Sequence, residues 1–71
     1  MTINDLKLGE TSTITDVTGP NNMVLSLLKQ GLTPGTKIEK KYSGLFGDPI
    51  AYCARGATIA LRQEEAHCLK I

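Results

Sequence analysis

The sequence predicts a mostly β fold: a small, partly closed barrel of about five short strands with one short α-helix. Three observations carry that expectation. Only residues 22–30 space their apolar side chains as a helix does. Elsewhere, β-branched or alternating segments recur at short intervals, separated by glycine and proline. With 71 residues there is no room for the crossover helices that parallel strands require, so the strands must pair antiparallel and protect their edges by closing up.

In chain order, residues 1–8 place Ile3, Leu6 and Leu8 before Gly9, a pattern that fits a strand or a single helical turn equally. Residues 10–17 are rich in Thr, which favours a strand. Ile14 and Val17 are three apart, however, so a bulge or bend must fall between them. The helix follows: Pro20, Asn21 and Asn22 punctuate its start, either Asn being able to cap it, and Val24, Leu27 and Leu28 form its apolar stripe. Gly31 suits the left-handed residue that ends a helix, which would bring Leu32 against Leu27.

Pro34-Gly35 supplies the two central residues of a type II turn. Residues 36–42 then read as a strand with Ile38 and Tyr42 inward and Lys37, Glu39 and Lys41 outward. Lys40 falls on the apolar face, so this strand lies at an edge or the lysine snorkels. Residues 44–49 form a loop carrying Leu45 and Phe46. Residues 50–54 and 57–61 alternate as two strands about a tight Arg55-Gly56 turn, with Ala57, Ile59 and Leu61 inward. Residues 63–67 suit one helical turn, and Leu69 and Ile71 close with a short strand.

Composition excludes several classes of function. Eight Lys and Arg against seven Asp and Glu leave a net charge of +1, without the basic excess of a nucleic-acid binder. Two cysteines are too few for a secreted disulfide scaffold. No stretch resembles a signal peptide or a membrane span, so a cytoplasmic protein without direct membrane insertion is expected, with residues 1–71 as one domain.

No catalytic set assembles either. The carboxylates are scattered, and the lone histidine, His67, adjoins Cys68, whose side chain would point the other way on a strand. Cys53, Cys68 and His67 are a weak alternative as metal ligands, unsupported by any ligand spacing; buried small hydrophobes describe the cysteines better. Asp48 before Pro49 reads as a turn-former whose carboxylate accepts backbone amides. What packing leaves over is Leu45 and Phe46 between glycines, and a basic group of Lys37, Lys41, Arg55 and Arg62 on the curled sheet.

At this point the chain resembles the ferrous iron transport protein A (FeoA) family. Leu28, Gly31-Leu32, Pro34-Gly35 and Ile38 resemble its helix-end signature, and Gly47-Asp48-Pro49-Ile50 resembles its hairpin entry. Ile59-Ala60-Leu61-Arg62 with Glu65-Ala66 resembles its closing segment, and Leu6, Leu8-Gly9 and Ile14 its opening. Gln30 and the run Gly19-Pro20-Asn21-Asn22, which lacks basic residues, depart from the family pattern. More distantly, the chain is similar to the C-terminal domains of iron-dependent repressors. With no helix-turn-helix segment ahead of it, the free-standing protein is the expectation.

The resemblance implies an SH3-like barrel and a non-enzymatic, cofactor-free accessory of bacterial ferrous iron uptake. Its implied partner is the membrane transporter's B protein, which carries a cytosolic GTP-binding domain. Docking is expected through Leu45, Phe46 and Asp48 with Lys37, Lys41 and Arg62, and a homo-oligomer is allowed. Two alternatives stand beside this reading: a metal-responsive sensor or regulator, and a GTPase-activating partner using Arg62 or Arg55.

Overall fold

A computed structural model describes residues 1–44 and 47–71. A 3-10 turn, Ile3–Asp5, opens the chain, held by Thr2 and Asp5: Thr2 Oγ1 accepts the Asn4 N–H, and Asp5 Oδ2 accepts the Thr2 N–H. Then follow β1 (Thr11–Thr13), β2 (Asp16–Val17), α1 (Asn21–Lys29), β3 (Lys37–Ser43), β4 (Ile50–Ala54), β5 (Ala57–Leu61), α2 (Gln63–Ala66) and β6 (Leu69–Lys70).

These strands do not form a barrel. They make a four-stranded antiparallel sheet, β1-β3-β4-β5, and a separate antiparallel pair, β2-β6, and neither sheet closes on itself. The expectation of a five-stranded SH3-like barrel with one helix is therefore corrected, among the described residues, to two open sheets, six strands and two short α-helices. The physical reason lies at the bend anticipated between Ile14 and Val17. The Ile14 N–H donates to Thr36 O beside β3, whereas the next residue, Thr15, donates to Lys70 O in β6. One continuous Thr-rich segment thus changes partner within two residues and divides its hydrogen bonds between two sheets.

Helix α1 begins one residue earlier than its asparagines suggest. Pro20 takes the N-cap position, its carbonyl accepts the Val24 N–H at 2.9 Å, and neither Asn caps by its side chain. The helix ends as its sequence dictates. The Gly31 N–H reaches Leu28 O and the Leu32 N–H reaches Leu27 O, with Gly31 at φ +86°, a Schellman stop. The turn that follows closes from the Thr36 N–H to Thr33 O across Pro34-Gly35. Leu27 is fully buried and Val24 half-buried, but Leu28 and Leu25 stay exposed, so the buried face is narrower than the apolar stripe.

The core is drawn from the 3-10 turn, α1, the inner face of the larger sheet, α2 and β6. Ile3, Ile14, Leu27, Leu32, Ile38, Tyr52, Leu61 and Leu69 are its largest fully buried side chains. Lys40 joins them, yet β3 lies between β1 and β4 rather than at an edge. Its ammonium donates to Asn4 O at 3.1 Å and lies 5.9 Å from the centre of the Tyr52 ring, so the charge is held by a carbonyl and a π-face. Tyr42 was expected inward with Ile38. A bulge between Lys40 and Tyr42 shifts the register and turns Tyr42 out to solvent.

Candidate interaction site

Strand register decides which surface residues meet. β3 and β5 both pair antiparallel with β4, so they run the same way: Ser43 and Leu61 lie opposite Ile50, and Ile38 and Ala57 lie opposite Ala54. Lys41, Tyr42, Gly44, Asp48 and Arg62 therefore gather at one end of the sheet. Lys37 and Arg55 lie at the other. Of the six expected docking residues, the sheet collects Lys41, Asp48 and Arg62 and separates Lys37; Leu45 and Phe46 lie outside the described residues.

The collected end is braced by backbone and carboxylate bonds. The Gly44 N–H donates to Pro49 O at 2.8 Å, and a Cβ on Gly44 would stand 2.7 Å from that oxygen. Only glycine permits so close an approach. Asp48 then reaches across to α2. Arg62 occupies the N-cap position of that helix, and a guanidinium has no lone pair with which to accept a backbone N–H. Asp48 Oδ1 supplies the acceptor instead, taking the Gln63 N–H at 3.2 Å, while Glu65 Oε1 takes the Arg62 N–H at 2.9 Å. Asp48 accepts a backbone amide as its sequence context suggests, though from a residue 15 positions on.

The second Asp48 oxygen lies 3.8 Å from Arg62 Nη1, an ion pair whose arginine side chain is 67% exposed. Tyr42, at the same end of the sheet, is 60% exposed. Alternation alone places Tyr42 in the core, because it carries no sign of a bulge. The basic character of the face is also diluted: Glu39 Oε2 lies 3.9 Å from Lys41 Nζ.

Arg55 has a different task. At φ +54° it forms the β4–β5 turn with Gly56, and its Nε donates to Gly31 O at 2.9 Å and its Nη2 to Thr36 Oγ1 at 3.4 Å. It covers the end of α1, and nothing in its neighbours along the chain announced that contact. The expected signature residues sort likewise into architecture: Leu28, Gly31, Leu32, Pro34 and Gly35 end the helix and make the turn, and Gly47, Asp48 and Pro49 shape the loop base.

The cysteines part company. Cys68 is buried, its Sγ 3.5 Å from Met23 Sδ and 3.5 Å from Glu64 O, under a cleft of about 610 Å³ that His67 also lines. Cys53 is half-buried and lines a smaller cleft of about 280 Å³ with Lys37 and Arg55. Cys53 is thus not brought to His67 and Cys68. Among the described residues, no group of three or more His, Cys, Asp or Glu is placed to hold a metal ion. No helix among them is long and apolar enough to cross a membrane. Burial pushes the Tyr52 phenol up to about 12, and its hydroxyl donates to Ile3 O at 3.4 Å.

A family model, the FeoA domain, matches residues 1–71, and the chain belongs to that family. It is similar to the solution structure of iron(II) transport protein A from Clostridium thermocellum, at 27% identity and a TM-score of 0.91 over 99% of this chain and 43% of that one. The FeoA protein from Chlorobium tepidum is also 27% identical, with a TM-score of 0.89 over 99% of this chain and 67% of that one. A manganese-dependent transcriptional repressor shares the fold at 15% identity, with a TM-score of 0.85 over the whole of this chain and 41% of the repressor. The chain thus spans less than half of the first and last of these. No curated protein sequence matches it.

Proposed function

We propose that this chain is a non-enzymatic accessory of ferrous iron uptake, working on the cytosolic side by docking on the B protein of the membrane transporter. The observation that carries the reading is the family match over residues 1–71, supported by two family members with the same fold at 27% identity. Docking uses the end of the sheet that carries Tyr42, Lys41 and the Asp48–Arg62 pair, with Leu45 and Phe46 of the neighbouring sequence contributing. An exposed tyrosine at the same end of the sheet as an exposed arginine is the kind of surface that anchors an interface. The receiving surface is the transporter's GTP-binding domain.

The test is a ¹⁵N titration of this protein with that purified domain, repeated with GDP and with a non-hydrolysable GTP analogue. Amide shifts are expected at residues 41–49 and 62–63, with Lys37 unmoved. Shifts confined to the cleft beside Cys68, or none in either nucleotide state, would overturn the assignment.

A further inference from the structure

β5 is an edge strand with an open side. The two-residue turn at Arg55-Gly56 makes Ala54 and Ala57 a hydrogen-bonded pair, so Ala57, Ile59 and Leu61 spend their backbone groups on β4. The N–H and C=O groups of Thr58 and Ala60 therefore point away from the sheet. Among the described residues none of them has a backbone partner, and both residues are exposed. Edge strands usually carry a charge, a proline or a bulge that discourages pairing. Ala57-Thr58-Ile59-Ala60-Leu61 carries no charge and no proline, and its register with β4 is unbroken.

We propose that this edge pairs with the same edge of a second copy, antiparallel about a twofold axis through Ile59. That register sets Thr58 opposite Ala60 of the second copy and Ala60 opposite its Thr58. Each pair exchanges two N–H···O bonds, so all four outward donors and acceptors of Thr58 and Ala60 are satisfied at once. Ile59 meets its own mate as a non-hydrogen-bonded pair, with Cβ atoms about 5 Å apart. Ile59 is half-buried in one copy, and its mate covers the flank left open.

The occupant is a second copy because the strand is self-complementary in that register, with small side chains facing small side chains. The charges that would meet across the axis are already engaged within each chain: Arg55 is folded onto Gly31 O and Thr36 Oγ1, and Arg62 faces Asp48. The resulting sheet has eight strands. Its two Tyr42 ends point in opposite directions, so pairing leaves the docking end of each copy free. The inference does not rest on the docking reading.

Sedimentation equilibrium from about 10 μM to 1 mM tests it, the range suiting an interface of four backbone bonds below standard size. The weight-average mass is expected to rise from the monomer's 7.7 kDa towards twice that value. Ala60→Pro removes an N–H that its own chain does not use, so it should abolish the rise while leaving far-UV circular dichroism and the melting temperature unchanged. Ile59→Cys gives a second readout that needs no folded proline variant: mild oxidation with oxidised glutathione, then peptide mapping, should find position 59 linked to position 59. A monomeric mass at 1 mM, a dimer undiminished in a folded Ala60→Pro, or linkage only through Cys53 would overturn the proposal. So would amide shifts at Thr58 and Ala60 that appear only with the transporter's GTP-binding domain, which would give the edge to a different strand.

Discussion

Replacing Gly19 by alanine should injure this fold through one identifiable atom. Gly19 sits at φ +153°, a region essentially reserved for glycine, and forcing alanine into it costs about 1–3 kcal/mol. A Cβ there would also stand 2.6 Å from Cys68 Sγ, a buried atom already held against Met23 Sδ and Glu64 O at 3.5 Å each. Overpacking of that kind costs about another 1–3 kcal/mol. The sum, about 2–6 kcal/mol, is a large part of the roughly 4–11 kcal/mol that 71 residues ordinarily provide. Cys68→Ala alone should cost about 0.5–1.5 kcal/mol, as for the loss of one buried methyl-sized group. It removes the obstructing atom, so Gly19→Ala with Cys68→Ala should be more stable than the sum of the single variants, by about 1–3 kcal/mol of coupling. The assay is urea unfolding of all four proteins followed by circular dichroism, comparing midpoints at constant m-value. Additivity within about 0.5 kcal/mol would refute the contact as the cause.

Asp48→Ala should cost about 1 kcal/mol, because the first amide of α2 loses its acceptor, and thermal melts should fall by about 4–8 °C; an unchanged melt would leave Asp48 with a docking role alone. Tyr42→Ala should leave the melt nearly unchanged, since the side chain lies mostly in solvent, yet weaken binding to the GTP-binding domain by at least about 30-fold, as loss of an anchoring tyrosine does. Isothermal titration separates the two effects. Stability should also fall at alkaline pH: unfolded Tyr52 ionises near its ordinary 10.0 and the folded phenol only near about 12. Between those values the unfolded state holds fewer protons, so about 2–3 kcal/mol present below pH 10 is lost as pH rises to 12. Tyr52→Phe should flatten that part of the profile.

Much of the local architecture was legible in the sequence, and the reason is steric. Gly31 and Gly35 stand where φ must be positive, Pro34 sets the φ before it is needed, and Arg55-Gly56 leaves two residues to reverse a chain; each signal acts on its own neighbours. Register and closure are different in kind. A single extra residue at the Lys41 bulge reversed the facing of Tyr42, and no composition marks it. The division into two sheets depends on Thr15 finding Lys70 and Thr2 pairing with Lys70, contacts between opposite ends of the chain that no local pattern encodes. The same distinction separates Asp48, whose capacity to accept amides was readable, from the identity of the amide it accepts.

That distinction bears on how the docking end is built. Tyr42 is presented because the bulge reverses it, and Arg62 opens α2 because Asp48 supplies the amide acceptor that an arginine cannot provide. Both devices are local departures from regular structure, placed where β3 ends and α2 begins, and both leave the buried face of the sheet intact. The core needs only Ile38, Tyr52 and Leu61 on its side of the strands, so the residues beyond the bulge are released from packing. Tyr42 and Lys41 can therefore change without a cost to the fold, whereas Asp48, which accepts the first amide of α2, and Arg55, which closes the end of α1, cannot.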